Sequence, residues 1–260
     1  MAEIIARGIR FHVQRLAPRH RASQPEHPVV FIHGLCLDNL SSFYHTLANP
    51  VAYAGATVIL YDLRGHGLSE RPRTGYRVND SVADLVAVLD SLDVDGPVHV
   101  VGHSYGGAIA LRFAVGYPDR VASMLLIDAH VPIPGWGERM AATIREVGRD
   151  LSDGDLGQRI APRLAETGKH LIKHTTLTTD LLDTEPLSEQ ELRMITSPVR
   201  AVYGGQSDVL SHAYLLDDQL ARYTLTVLPG LDHFVLWNAT QVLRAIVLDW
   251  FAAPTAVGLR

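Results

Sequence analysis

Four short apolar runs in the first half of the chain each stop on a small or charged residue, and this alternation is the strongest constraint on the fold. They are Pro28 to Ile32 before His33 and Gly34, Ala56 to Tyr61 before Asp62, Pro97 to Val101 before Gly102, and Met124 to Ile127 before Asp128. Continuous apolar runs of this length suit strands buried on both faces. Between them lie helical patterns. Ser81 to Leu92 places Val82, Leu85, Val86 and Leu89 on one face, and the Ala-rich segment Tyr105 to Tyr117 closes before Pro118. Strands alternating with such helices predict βαβ crossovers and a mainly parallel sheet. The rhythm returns near the end with a strand at Pro198 to Tyr203, a helix at Ala213 to Ala221, a strand at Thr224 to Leu228 and a helix at Ala239 to Phe251. Glu3 to Arg7 and Ile9 to Arg15, turning about Gly8, read as a hairpin at one edge of the sheet. Repeats and low-complexity tracts are absent from the sequence.

The middle of the chain breaks the pattern. From Val131 to Ser197 the spacing is irregular, with Pro132, Pro134, Gly135 and Gly137 followed by mixed polar and helical stretches. That is too long for a loop inside a compact domain. The expectation is a core formed by residues 1–130 and 198–260, with a small helical cap, residues 131–197, inserted after the sixth strand. A chain of 260 residues that is 47% hydrophobic and 20% charged is no disordered protein. At this size it buries roughly three quarters of its unfolded surface.

Charge and cysteine content narrow the partners. Asp and Glu number 28 against 23 Lys and Arg, so no basic footprint points to nucleic acid. Cys36 is the single cysteine, which excludes an internal disulfide framework and a cysteine-based zinc site and fits a reducing compartment. Glu3 and Arg7 interrupt the first ten residues, so a secretory apolar core is missing there. The longest apolar stretch, Val51 to Leu60, is far shorter than the ~18 residues that span a bilayer. The expectation is a cytoplasmic protein acting on a small molecule, with no nucleic-acid or membrane partner.

The sharpest chemical signal is Gly102-His103-Ser104-Tyr105-Gly106-Gly107, placed directly between an apolar strand and a helix. A GxSxG pattern in that context is a nucleophile elbow, whose tight turn exposes the serine hydroxyl at a helix N-terminus. A serine hydroxyl is a poor nucleophile at neutral pH and needs a histidine base oriented by a carboxylate. His233 lies in Gly230-Leu-Asp-His-Phe after the Thr224 to Leu228 strand, and Asp208 lies in Gly204-Gly-Gln-Ser-Asp after the Pro198 to Tyr203 strand. The expected catalytic set is therefore Ser104, Asp208 and His233, all at the C-terminal ends of strands, where open parallel sheets place their sites.

With these residues in hand the chain resembles the α/β-hydrolase superfamily over nearly all its length apart from the cap. The matching stretches are Phe31-Ile-His-Gly, Tyr61 to Ser69, Gly102 to Gly107, Tyr203 to Asp208, and Asp232-His233. The resemblance implies an α/β fold with a mainly parallel α/β-hydrolase sheet flanked by helices. It also implies an oxyanion hole made by the backbone N–H groups of Leu35 and Tyr105. Asp62, Arg64, Gly65 and His66 belong to a loop of that superfamily whose role is structural. Asp128 resembles the alternative acid position used by some members and stands as a substitute for Asp208. His33 reads as a brace of the oxyanion loop, His103 as packing beside the nucleophile, Asp232 as a turn former and Cys36 as a small buried side chain. The remaining histidines, His12, His20, His27, His170, His174 and His212 among them, show no metal-ligand spacing. No phosphate-binding or dinucleotide motif appears, so neither a metal nor a cofactor is expected.

Position 104 also separates branches of that superfamily. Haloalkane dehalogenases and soluble epoxide hydrolases resemble the chain in their Asp-x-Arg-Gly-x-Gly loop but use an aspartate nucleophile, and dienelactone-type hydrolases use cysteine. A serine implies acyl transfer to water from an ester, thioester or lactone. Two enzyme alternatives carry a similar set: C–C bond hydrolases of β-diketone-like substrates, and cofactor-free perhydrolases. A third alternative is a non-catalytic ligand receptor that kept the fold. Val131, Ile133, Trp136, Met140, Ile144, Leu164 and Leu171 either roof an apolar pocket over Ser104 or pack on one another. Trp136, Met140 and Trp237 are the expected pocket residues. The stretch Leu228 to Trp237, with the compact cap, is similar to stand-alone hydrolases and thioesterases of secondary metabolism.

Overall fold

A computed structural model of the chain describes residues 2–19, 27–153 and 160–252. Eight strands form one sheet: β1 (Ala2–Ala6), β2 (Ile9–Leu16), β3 (Val29–Ile32), β4 (Val58–Tyr61), β5 (Val98–His103), β6 (Val121–Ile127), β7 (Val199–Gly204) and β8 (Tyr223–Leu228). Their spatial order is β1-β2-β4-β3-β5-β6-β7-β8. The hairpin of β1 and β2 runs antiparallel at one edge, and β4, β3, β5, β6, β7 and β8 pair in parallel. This is the α/β-hydrolase sheet that the motifs imply.

The apolar runs show why the sheet is covered on both sides. Successive strand side chains point to opposite faces. Val30 and Ile32 of β3 and Met124 and Leu126 of β6 enter one apolar cluster. Val29 and Phe31 of β3 and Leu125 and Ile127 of β6 enter another. The first cluster packs beneath helices α1 (Val78–Asp90), α2 (Tyr105–Gly116) and the segment that follows β6. The second packs beneath helical residues 41–53 and the C-terminal helix. Helix α1 begins three residues before the periodicity predicts, because the Asp80 carboxylate accepts the otherwise unpaired N–H of Arg77 and starts an extra turn.

After β6 the chain leaves the sheet for α3 (Trp136–Asp153), α4 (Pro162–His174), α5 (Leu177–Leu182) and α6 (Glu189–Arg193), and returns with β7. Residues 154–159, within the expected cap, lie outside the described residues. Specific bonds tie this segment to the core. Asp180 accepts the N–H of Tyr76 at 2.8 Å, the Arg71 guanidinium donates to the Thr167 hydroxyl at 2.9 Å, and Arg112 contacts Glu191 at 3.1 Å. The last helices among the described residues are α7 (Leu210–Gln219), α8 (Val235–Asn238) and α9 (Thr240–Ala252). Among the described residues, no helix is long and apolar enough to cross a membrane.

Candidate active site

The elbow at the end of β5 is held in the conformation its glycines permit. Ser104 adopts φ 54° and ψ −117°, a backbone region that costs a non-glycine residue of order 1–3 kcal/mol. The Ser104 N–H donates to the Ile127 carbonyl of β6 at 3.0 Å, and its own carbonyl accepts the N–H groups of Gly107 and His130, each at 3.0 Å. A Cβ on Gly102 would lie 2.6 Å from the Gly106 carbonyl oxygen, and one on Gly106 would lie 2.0 Å from the Ile32 carbonyl oxygen. Only glycine lets the turn close this tightly against itself and against β3.

His233, in the turn after β8, reaches the serine. Its Nε2 stands 2.9 Å from Ser104 Oγ, and its Nδ1 stands 2.6 Å from Asp128 Oδ2. Asp128 is fully buried with a positive φ of 44°. Such a carboxylate is stable only if its lone pairs are met by donors. They are: Oδ1 accepts the Gly204 N–H at 2.7 Å, and Oδ2 accepts the Ser207 hydroxyl beside the His233 ring. The acceptor on Nδ1 fixes that nitrogen as the N–H donor, which leaves Nε2 free to accept the serine proton.

The carboxylate against His233 is thus Asp128 and not the expected Asp208. Asp208 is exposed, and both nitrogens of His233 are already engaged by Asp128 and Ser104. The residue before it explains the difference, since Ser207 turns inward to bond Asp128 while Asp208 faces outward. Asp128 lies one residue beyond the pair His103 and Ile127, which sets it level with Ser104 on the adjacent strand. A signal for this was present in the sequence: an aspartate closing the strand that follows the nucleophile's strand.

The loop after β3 supplies the other half of the site. His33 donates through Nδ1 to the Gly34 carbonyl at 2.7 Å and accepts the Leu63 N–H on Nε2 at 3.0 Å. The Gly34 N–H is taken by Asp38 at 2.8 Å and the Cys36 N–H by His66 Nε2 at 2.8 Å, so the Leu35 N–H between them has no protein acceptor among the described residues. The Tyr105 N–H opens helix α2 and is likewise without one, as the first amides of a helix are. His66 is buried, which pushes its ionisation down to about 3 and keeps its Nε2 lone pair available to the loop. Burial pushes the Cys36 thiol up to about 12, so it remains protonated. Asp62 accepts the N–H groups of Leu40 and Leu68, and Arg64 forks onto Asp84 at 2.6 and 2.7 Å, which secures the loop after β4.

The expected pocket residues differ in exposure. Trp136 and Met140, on α3, are buried in the same apolar cluster as the core, and the Trp136 ring stacks over Tyr105 at 6.4 Å. Trp237 is 42% exposed and meets His103 edge-on at 5.2 Å. His130 was not singled out by its sequence context, yet its ring lies 5.6 Å from that of His233, and burial holds it well below the usual imidazole range. A cleft of about 470 Å³ opens between residues 39–41, the loop after β4 and the start of α4; Leu164 lines it, and Ser104 and His233 do not. Among the described residues, no group of three or more His, Cys, Asp or Glu side chains is arranged to hold a metal ion.

Comparison with known proteins agrees with this architecture. The family model described as the alpha/beta hydrolase fold matches residues 27–154. A non-heme chloroperoxidase of Streptomyces lividans is 39% identical over 112 residues, which are 41% of this chain and 38% of that protein. The lipase LipV of Mycobacterium tuberculosis is 37% identical over 127 residues, 49% of this chain and 44% of that protein. The aligned stretch thus spans less than half the length of these curated relatives. A solved structure described as Est816, an N-acyl homoserine lactone degrading enzyme, superposes with a TM-score of 0.74 at 25% identity over 96% of this chain and 100% of its own.

Proposed function

The chain has the α/β-hydrolase fold, and on that premise we propose that it is a serine hydrolase of carboxylic esters, thioesters or lactones, working through an acyl-enzyme on Ser104. The observation that carries the reading is the continuous line from Ser104 Oγ to His233 Nε2 at 2.9 Å and from His233 Nδ1 to Asp128 Oδ2 at 2.6 Å. In the first step His233 takes the hydroxyl proton as Ser104 attacks the carbonyl carbon, and Asp128 stabilises the imidazolium that forms. The oxygen acquires negative charge and is received by the Leu35 and Tyr105 N–H groups, two fixed donors that need no reorganisation at the moment of reaction. His233 then protonates the leaving group, and a water activated by the same ring releases the acid.

Residues 131–197 act as a cap on the core of residues 1–130 and 198–260. Trp237, exposed beside His103, gives the rim an apolar surface suited to a hydrophobic substrate. Among the relatives and neighbours, a lipase and an N-acyl homoserine lactone degrading enzyme support carbonyl chemistry of this kind. No cofactor takes part in these steps.

The test uses a p-nitrophenyl ester and a fluorophosphonate probe. Wild-type protein is expected to hydrolyse the ester and to take up one probe molecule on Ser104, while Ser104→Ala retains the fold and does neither. Full activity in Ser104→Ala would reject the nucleophile. A folded wild-type protein inert to both reagents would favour a ligand-binding role.

A further inference from the structure

Asp38 is a carboxylate that the serine chemistry leaves without a task. It lies in the loop after β3 and is 4% exposed. Oδ1 accepts the Asn39 N–H at 2.8 Å and the Ser42 hydroxyl. Oδ2 accepts the Gly34 N–H at 2.8 Å and faces His103 Nδ1 at 3.5 Å, a contact longer than a normal hydrogen bond. Burial alone would raise its carboxyl, but the His103 ring and the neighbouring His33 hold it below the usual carboxylate range. It is therefore an ionised group enclosed by protein.

His103 is as deeply enclosed, at 3% exposure. Neither ring nitrogen has a hydrogen-bond partner among the described residues, and the nearest carboxylate is that of Asp38. Its ring is stacked on that of His233 at 5.7 Å with an interplanar angle of 29°, and the Trp237 ring meets it edge-on at 5.2 Å. If this position only filled space, an apolar ring would fill it without leaving buried nitrogens unmet.

One oxygen therefore touches two elements. Gly34 precedes Leu35, whose N–H is one oxyanion donor; His103 precedes Ser104 and stands two residues before Tyr105, whose N–H is the other. The elements are in close contact at this point, since a Cβ on Gly34 would lie 3.0 Å from Asp38 Oδ2, 3.3 Å from His103 Nδ1 and 3.5 Å from Ser104 Cβ. Cys36, at φ 63°, is held by His66 on one side of Leu35, and Gly34 is held by Asp38 on the other.

We propose that Asp38 and His103 form a positioning pair that clamps the oxyanion loop to the nucleophile elbow, so that the Leu35 and Tyr105 N–H groups keep the spacing a tetrahedral oxyanion requires. This rests on the serine-hydrolase reading above. Asp38 acts through the two loops it joins, while His103 also lies against the His233 ring. Loss of the pair leaves substrate binding intact and weakens the transition state, which lowers kcat and spares KM.

The experiment compares Asp38→Ala, Asp38→Asn, His103→Phe and His103→Asn with wild type, each counted by fluorophosphonate titration of active sites. Asn at 103 places an N–H near the Nδ1 position, whereas Phe keeps the ring and its stacking. The readouts are kcat and KM for p-nitrophenyl butyrate and the inhibition constant of phenylboronic acid, whose tetrahedral adduct occupies the oxyanion site. Asp38→Ala and His103→Phe are expected to lose between about tenfold and a hundredfold in kcat with KM within about twofold. Boronic acid binding should weaken in parallel, and His103→Asn should recover most of both. Wild-type kcat per titrated site in Asp38→Asn and His103→Phe would overturn the proposal even if Asp38→Ala fails to fold. So would a fall in kcat with boronic acid affinity unchanged. A wild-type protein inert to ester and probe would overturn the underlying reading, and the pair's role with it.

Discussion

Asp128 and Asp208 both follow strands on the same rim of the sheet, and at the level of single residues the choice between them is a matter of direction. A positive φ of 44° turns the Asp128 side chain toward His233, while the Ser207 hydroxyl completes its shell and Asp208 remains in solvent. Removing the Ser207 hydroxyl deletes a hydrogen bond to a charged group, an interaction of about 1.5–3 kcal/mol. Ser207→Ala should therefore lower kcat/KM about tenfold in ester hydrolysis, a change equal to ~1.4 kcal/mol of transition-state stabilisation. An unchanged value would mean that Ser207 plays no part in holding the acid. The motif and its strand-to-helix setting made Ser104 legible from sequence, and chain order made His233 a candidate. Both aspartates were candidates in the sequence, but the choice between them was not legible, because residue spacing does not say which side chain turns toward the ring after its strand ends. Asp38 was invisible for a related reason: its partners Gly34, Ser42 and His103 come together only when two loops pack.

Elements were easier to read than their junctions. Apolar runs made β3 to β6 legible because both faces of those strands are covered, β8 is only partly buried at one edge of the sheet, and the hairpin about Gly8 stands at the other edge, where an antiparallel pair fits. The start of α1 was missed, since a cap made by Asp80 leaves no trace in apolar periodicity. The junction of β5, α2 and β3 is where element packing meets the site. Gly106→Ala places a methyl group 2.0 Å from the Ile32 carbonyl oxygen, which must push the elbow away from β3. Overpacking of this kind costs about 1–3 kcal/mol. In a chain of this size each kcal/mol lowers Tm by roughly 2–4 °C. A lower melting temperature together with loss of esterase activity is expected from scanning calorimetry and a p-nitrophenyl assay. Wild-type values in both would show that the elbow tolerates a side chain there.

For the whole molecule, buried histidines make stability depend on pH. Burial lowers His66 to about 3 and His99 to about 4, and it lowers His130 and His212 as well, against an unfolded value near 6.5. The unfolded chain therefore binds more protons than the folded one below that value. The stability these neutral rings confer is complete above about pH 6.5 and is lost progressively as pH falls toward their folded values. Thermal melts from pH 8 to pH 4.5 should show a plateau and then a falling Tm below about pH 6.5; a flat Tm across that range would contradict the burial of these rings. The proposed hydrolysis depends on one line of atoms, from the Ser104 hydroxyl through His233 to the Asp128 carboxylate, and the most direct measurement is kcat/KM of Asp128→Asn beside Asp208→Asn on one ester. Asn at 128 removes the charge that stabilises the imidazolium and presents a donor where an acceptor is needed, so a loss of about 10³–10⁴-fold is predicted, with Asp208→Asn within about twofold of wild type. A large loss in Asp208→Asn with Asp128→Asn near wild type would contradict it.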